Sequence, residues 1–117
     1  MSFDLVVWAL DATGATAANV RAAHESCRRG EHRAGPPDRR ILAFHAALTA
    51  SYPERAANSP WAVTPLHLAA DHLEMNLTET CADEVLLTVE RLAGVYGLLL
   101  FDPQDGSVYP PPATVGR

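Results

Sequence analysis

Lysine is absent from this chain: all nine basic residues are arginine, set against fourteen acids, for a net charge of −5. That absence reads as genome composition rather than chemistry. Cysteine is scarce. Cys27 and Cys81 are too few for a disulfide framework, so reduced thiols in a cytoplasm are expected. No stretch approaches the roughly 18 consecutive apolar residues of a membrane span. The opening Met1-Ser2-Phe3-Asp4 has no basic segment ahead of its apolar run, which argues against a secretory signal. None of Ser26, Ser51, Ser59 and Ser107 sits in a Gly-x-Ser-x-Gly elbow, and there is no Gly-rich anion cradle. Six of the nine arginines, Arg21, Arg28, Arg29, Arg33, Arg39 and Arg40, crowd together. No aromatic residue lies between Trp8 and Phe44 to stack on bases, so no nucleic-acid partner is expected.

What is present is a globular composition, 48% hydrophobic and 20% charged over 117 residues, enough for one domain. Charge is unevenly spread: residues 1–70 carry a net +1 and residues 71–117 a net −6. An acidic C-terminal part repels phosphate and anionic lipid and attracts a basic protein.

The patterning predicts a strand over 3–10, apolar on both faces as a central strand would be. An Ala-rich segment over 16–29, with Val20, Ala23 and Cys27 at helical spacing, predicts a helix. An Arg/Gly/Pro-rich loop follows over about 28–38. Ile41, Leu42, Phe44, His45 and Leu48 form the stripe of a second helix, ended by Tyr52-Pro53. Trp61-Ala62-Val63 predicts a short edge strand before Pro65. Residues 72–78 alternate strictly, with Leu73, Met75 and Leu77 on one face and His72, Glu74 and Asn76 on the other. The second face is expected to meet water or a partner. Thr80 and Asp83 predict a capped helix start, placing Cys81 in a first turn where the dipole would lower its pKa. Val85, Leu86, Val89, Leu92, Ala93 and Tyr96 form that helix's stripe, and Gly97 closes it. A strand over 98–101, a turn over 102–106, a short strand at Val108-Tyr109 and a Pro-rich tail over 110–117 complete the chain.

The order predicts a single α+β domain: an antiparallel or mixed four- to five-stranded sheet with helices on one face, ferredoxin-like or related. Three clusters invite chemistry. His24, Cys27 and His32 have partial metal-ligand spacing, but Arg28, Arg29 and Arg33 surround them and a fourth ligand is missing, so no metal site is expected. His72 with Glu74 resembles a base and its orienting carboxylate, and Cys81 is a candidate reactive thiol. The blander readings, a wet strand face and a small apolar residue, are preferred. Trp8 is either core packing or the anchor of a binding face.

The opening Met1-Ser2-Phe3-Asp4-Leu5-Val6-Val7-Trp8, the Tyr52-Pro53 pair, Trp61, and Gly97-Leu98-Leu99-Leu100-Phe101-Asp102-Pro103-Gln104 resemble a group of small bacterial proteins. Several of these are similar to immunity proteins encoded beside polymorphic or contact-dependent toxins. The Arg-rich stretch over 28–40 belongs to no pattern of that group. The resemblance implies a non-enzymatic, cofactor-free protein that occludes a cognate toxin domain. Asp71, His72, Glu74, Asn76, Asp102 and Asp105 are the expected partner contacts, with Glu79, Asp83, Glu84 and Glu90 as further acids. A small homo-oligomeric or ligand-binding module, dimerising through the open sheet face, is the first alternative, and an enzyme using His72 with Glu74 or Cys81 is the second.

Overall fold

The computed structural model describes residues 2–10, 16–30, 35–55, 59–64, 66–104 and 106–109. Among them run β1 (Ser2–Trp8), α1 (Ala17–Arg28), α2 (Arg39–Ser51), β2 (His67–Leu68), β3 (His72–Thr78), α3 (Asp83–Val95), β4 (Leu99–Asp102) and β5 (Ser107–Tyr109). Asp105, His32 and the Pro-rich tail lie outside the described residues.

The strands form one sheet in the order β2-β3-β1-β4-β5, and every pairing is antiparallel. β1 and β2 therefore run the same way with β3 between them, and β3 and β4 run the same way with β1 between them. Two interlocked β-α-β units of this kind are the ferredoxin-like arrangement. β5 extends it at the β4 edge. The single α+β domain is as the sequence implies, and its sheet is the five-stranded, wholly antiparallel form of the four- to five-stranded antiparallel or mixed sheet expected.

One face of the sheet presents Leu5, Val7, Leu73, Met75, Leu77, Leu98 and Leu100 to α2 and α3. Ile41, Phe44 and Leu48 of α2 and Val85, Val89, Leu92 and Ala93 of α3 are buried against them. Asp38 caps α2, accepting a hydrogen bond from the Arg40 amide at 2.8 Å. Arg40 then reaches the Leu10 carbonyl at 3.3 Å and the Gly97 carbonyl at 3.4 Å, tying the helix start to two sheet connections. Gly97, at φ +68, takes the left-handed conformation that ends α3.

The expectation that all helices share one face needs correction. Val6, Trp8, Leu99 and Phe101 point to the other face and pack with Val20 of α1, beside partly buried Ala23 and Cys27. The reason is legible in β1, whose apolar side chains alternate to both sides and require cover on both. Thr16 caps α1 by accepting from the Asn19 amide at 3.1 Å, and Arg21 donates twice to the Gly106 carbonyl, at 3.1 and 3.0 Å.

Two further expectations shift. Trp61 makes one isolated bridge to Leu77, through the Ala62 amide donating to the Asn76 carbonyl at 2.7 Å and the Thr78 amide to the Pro60 carbonyl at 2.8 Å, while its indole N–H donates to the Tyr52 carbonyl at 2.9 Å. The edge strand proper forms six residues later, at His67–Leu68. The residue before α3 is Ala82, without a side-chain cap, so Cys81 precedes the helix rather than sitting in its first turn. Burial and the nearby Asp83 carboxylate push its thiol pKa up, not down.

Candidate functional site

The Asp102-Pro103-Gln104 segment has a structural job. The Gln104 side chain accepts from the Asp4 amide at 2.7 Å and donates to the Asp4 carbonyl at 2.9 Å, pairing with β1 where β4 has ended. Asp102 accepts from the Gln104 amide at 2.9 Å and closes the turn. Asn76 donates to the Asp4 carboxylate across the strands. Of the expected contacts, Asp102 and Asn76 are thus committed to holding strand ends, with Asn76 only partly exposed.

His72 corrects the expectation more sharply. It lies on the face predicted to be wet, yet it is 2% exposed. The register sets Trp8 opposite His72 and Val6 opposite Glu74. The Trp8 and His72 rings stack at 4.3 Å between centroids, and the His67 ring lies 6.0 Å from His72 on β2. α1 covers the Trp8–His72 end of the sheet face that a homodimer was expected to use. Glu74, with its side chain 44% exposed, sits at the mouth. Beyond it a groove of about 570 Å³ runs between α1 and the sheet, lined by Asp4, Arg21, His24, Arg28 and Glu74 among others.

Around His72 the donors converge. Its Nδ1 is 2.9 Å from the Asp71 carboxylate, whose side chain is largely buried. Its Nε2 is 3.6 Å from Cys27 Sγ and 3.5 Å from the Glu74 carboxylate. His67 Nε2 stands 3.9 Å from the same Glu74 oxygen. His24, one helical turn before Cys27, packs its ring on Phe101 at 4.8 Å.

Electrostatics follow from this packing. Burial lowers the pKa of His72, but hydrogen bonds to Glu74 and Asp71 outweigh it, and the imidazole ends above its ordinary value. Glu74 is lowered, first by its bond to His72. The Cys27 thiol is raised by burial, then by Glu74 and Asp71. His24 is lowered by burial and by Arg28.

Thiol, imidazole and carboxylate in sequence resemble a nucleophilic triad. Two features oppose that use. Glu74 brings a second negative charge to the same imidazole nitrogen, and Cys27 lies in the last turn of α1, where the dipole is negative and disfavours a thiolate. The same features favour a cation. Cys27, His72 and Glu74 place their ligand atoms within 4.8 Å of one another. In the sequence Cys27 groups with His24 and His32, and His72 with Glu74, each set close in the chain. Shared strand register and helix docking carry the actual grouping, and neither leaves a local signal. Compared with protein-family models, curated proteins and solved structures, the chain matches none.

Proposed function

We propose that this chain is a cytoplasmic, non-enzymatic binding protein of the immunity type, which occludes a cognate bacterial toxin domain. The observation that best supports the reading is the solvent face of α3. Leu87 is 65% exposed, and its neighbours one turn away, Asp83, Glu84, Glu90 and Arg91, are all exposed. Val95, two turns on, is 64% exposed. An apolar anchor within a charged rim is the anatomy of a protein interface. Three acids to one arginine suit a basic partner, whose approach they would accelerate while rejecting acidic competitors. With Glu79 in the preceding turn also exposed, this surface is a better docking face than the sheet face, where His72 is buried. A standard interface would take about 800 Å² from the chain.

The test starts with the tagged chain captured from its host and any bound toxin domain identified, then purified as a complex. Glu90→Lys and Leu87→Ala should each weaken that complex about tenfold or more without lowering the melting temperature. The wild type should rescue growth of cells expressing the toxin, and Glu90→Lys should rescue less well. Recovery of the chain alone from cells shown to express the candidate toxin would sink the reading. Wild-type affinity in both variants would remove α3 as its interface.

A further inference from the structure

We propose that Cys27, His72 and Glu74 form a binding site for one zinc-class divalent cation, which clamps α1 onto the second face of the sheet. Such a site is independent of toxin binding. Tetrahedral zinc with Zn–S of about 2.3 Å and Zn–N or Zn–O of about 2.0–2.1 Å sets a sulfur–nitrogen edge near 3.6 Å and a nitrogen–oxygen edge near 3.4 Å. The observed edges are 3.6 Å from Cys27 Sγ to His72 Nε2 and 3.5 Å from His72 Nε2 to Glu74. The third edge lies within 4.8 Å, and the half-exposed Glu74 side chain can close it by a rotation.

The ligand chemistry is also suitable. Thiolate, imidazole and carboxylate are the sulfur, nitrogen and oxygen donors zinc accepts, in a mixture that suits neither calcium nor magnesium. A thiolate and a carboxylate around a doubly charged cation give a neutral site, so a partly buried position carries little desolvation penalty and adjacent Arg28 is not repelled. On binding, the Cys27 thiol proton and the His72 Nε2 proton that faces Glu74 pass to solvent as the sulfur and the nitrogen take the metal.

The surrounding shell is the second observation. Metal-bound histidines characteristically give their other ring N–H to a carboxylate, which orients the ring and fixes the tautomer. His72 has that partner in Asp71, at 2.9 Å from Nδ1, leaving Nε2 aimed at Cys27 and Glu74. Trp8 stacked on the ring restricts it further. Three protein ligands leave a fourth position for water, with His67 beside Glu74. The negative end of α1 at Cys27 adds attraction for a cation.

The experiment uses the full chain, stripped with a chelator and kept reduced by a phosphine, titrated first with Co²⁺ and then with Zn²⁺. One equivalent of Co²⁺ should produce a thiolate-to-metal charge-transfer band and the intense visible bands of a four-coordinate ion. Zn²⁺ should displace it and slow hydrogen exchange along α1. Asp71→Asn should weaken zinc binding about 10- to 100-fold, and Cys27→Ser should weaken it more and abolish the charge-transfer band. Cys81→Ser should leave both unchanged, and circular dichroism of each metal-free variant should match the wild type. If the band is missing from the folded wild type, or survives Cys27→Ser while Cys81→Ser removes it, the site is refuted.

Discussion

The two faces of this sheet are covered in different ways. Under α2 and α3 lies a continuous apolar core of seventeen buried residues among those described, drawn from both helices and every long strand. Under α1 the buried apolar set is five among the described residues, and Val20 is the one of them that α1 supplies. The first face follows the rule that close-packed hydrophobic surface supplies stability. The second combines a small apolar patch with the histidines, Cys27 and Glu74. Thin cover leaves room for groups that exchange protons or ions with solvent, which a deep apolar core does not.

Emptying one site on each face should separate the two most clearly. Phe44→Ala, in the main core, should cost about 3–5 kcal/mol. That is a large share of the roughly 5–15 kcal/mol typical of a domain, so a denaturant melt should find the variant barely folded. Val20→Ala removes the main apolar anchor of α1 and should cost only about 1–2 kcal/mol. In metal-free protein, α1 amides should already exchange faster than those of α2, and Val20→Ala should widen that gap. Equal losses at Phe44 and Val20 would mean the faces are not unequal in the way described.

A smaller effect should appear with pH in chelator. His72 has a raised native pKa, so its contribution is complete below the ordinary imidazole value of 6.5 and is lost as pH rises through the native value. Glu74 has a lowered native pKa, so its contribution is complete above 4.5 and is lost as pH falls through the native value. Wild type should therefore exceed Glu74→Gln in urea midpoint by most between those two values, with the difference narrowing on both sides. A difference independent of pH would show that the His72–Glu74 contact contributes no charge-dependent stability. The smallest effect is expected at Leu87→Ser, within about 0.5 kcal/mol of wild type in stability. A larger loss would make Leu87 a packing residue rather than an anchor for a partner.

Much of the architecture is readable from local pattern. Strict alternation over 72–78 divides β3 into an apolar face and a polar one, and the two-sided apolar character of β1 demands cover on both sides. The α3 stripe and the glycine at 97 appear where their periodicity indicates, and the α2 stripe does so at Ile41, Phe44 and Leu48, whereas Leu42 turns to solvent. What misleads is the inference from polar to wet. His72, Glu74 and Asn76 alternate away from the main core, yet burial along that face falls from His72 to Asn76 because α1 lies over one end only. Proline spacing likewise points to an edge strand near Trp61, but the paired segment forms at His67–Leu68, where the backbone meets Leu73 and Glu74.

Local sequence is enough to specify one α+β domain with an acidic C-terminal part and a β3 with two chemically distinct faces. These properties depend on neighbours in the chain: side-chain period, turn residues and net charge. That α1 crosses to the second face, and that Cys27 meets His72 across 45 positions of sequence, follows from the three-dimensional packing. The same packing sets Asp71 to orient that histidine and Glu74 to close the cluster. Those meetings depend on strand register and on the docking of one helix. Both are set by the summed burial of many distant side chains, which no local spacing encodes.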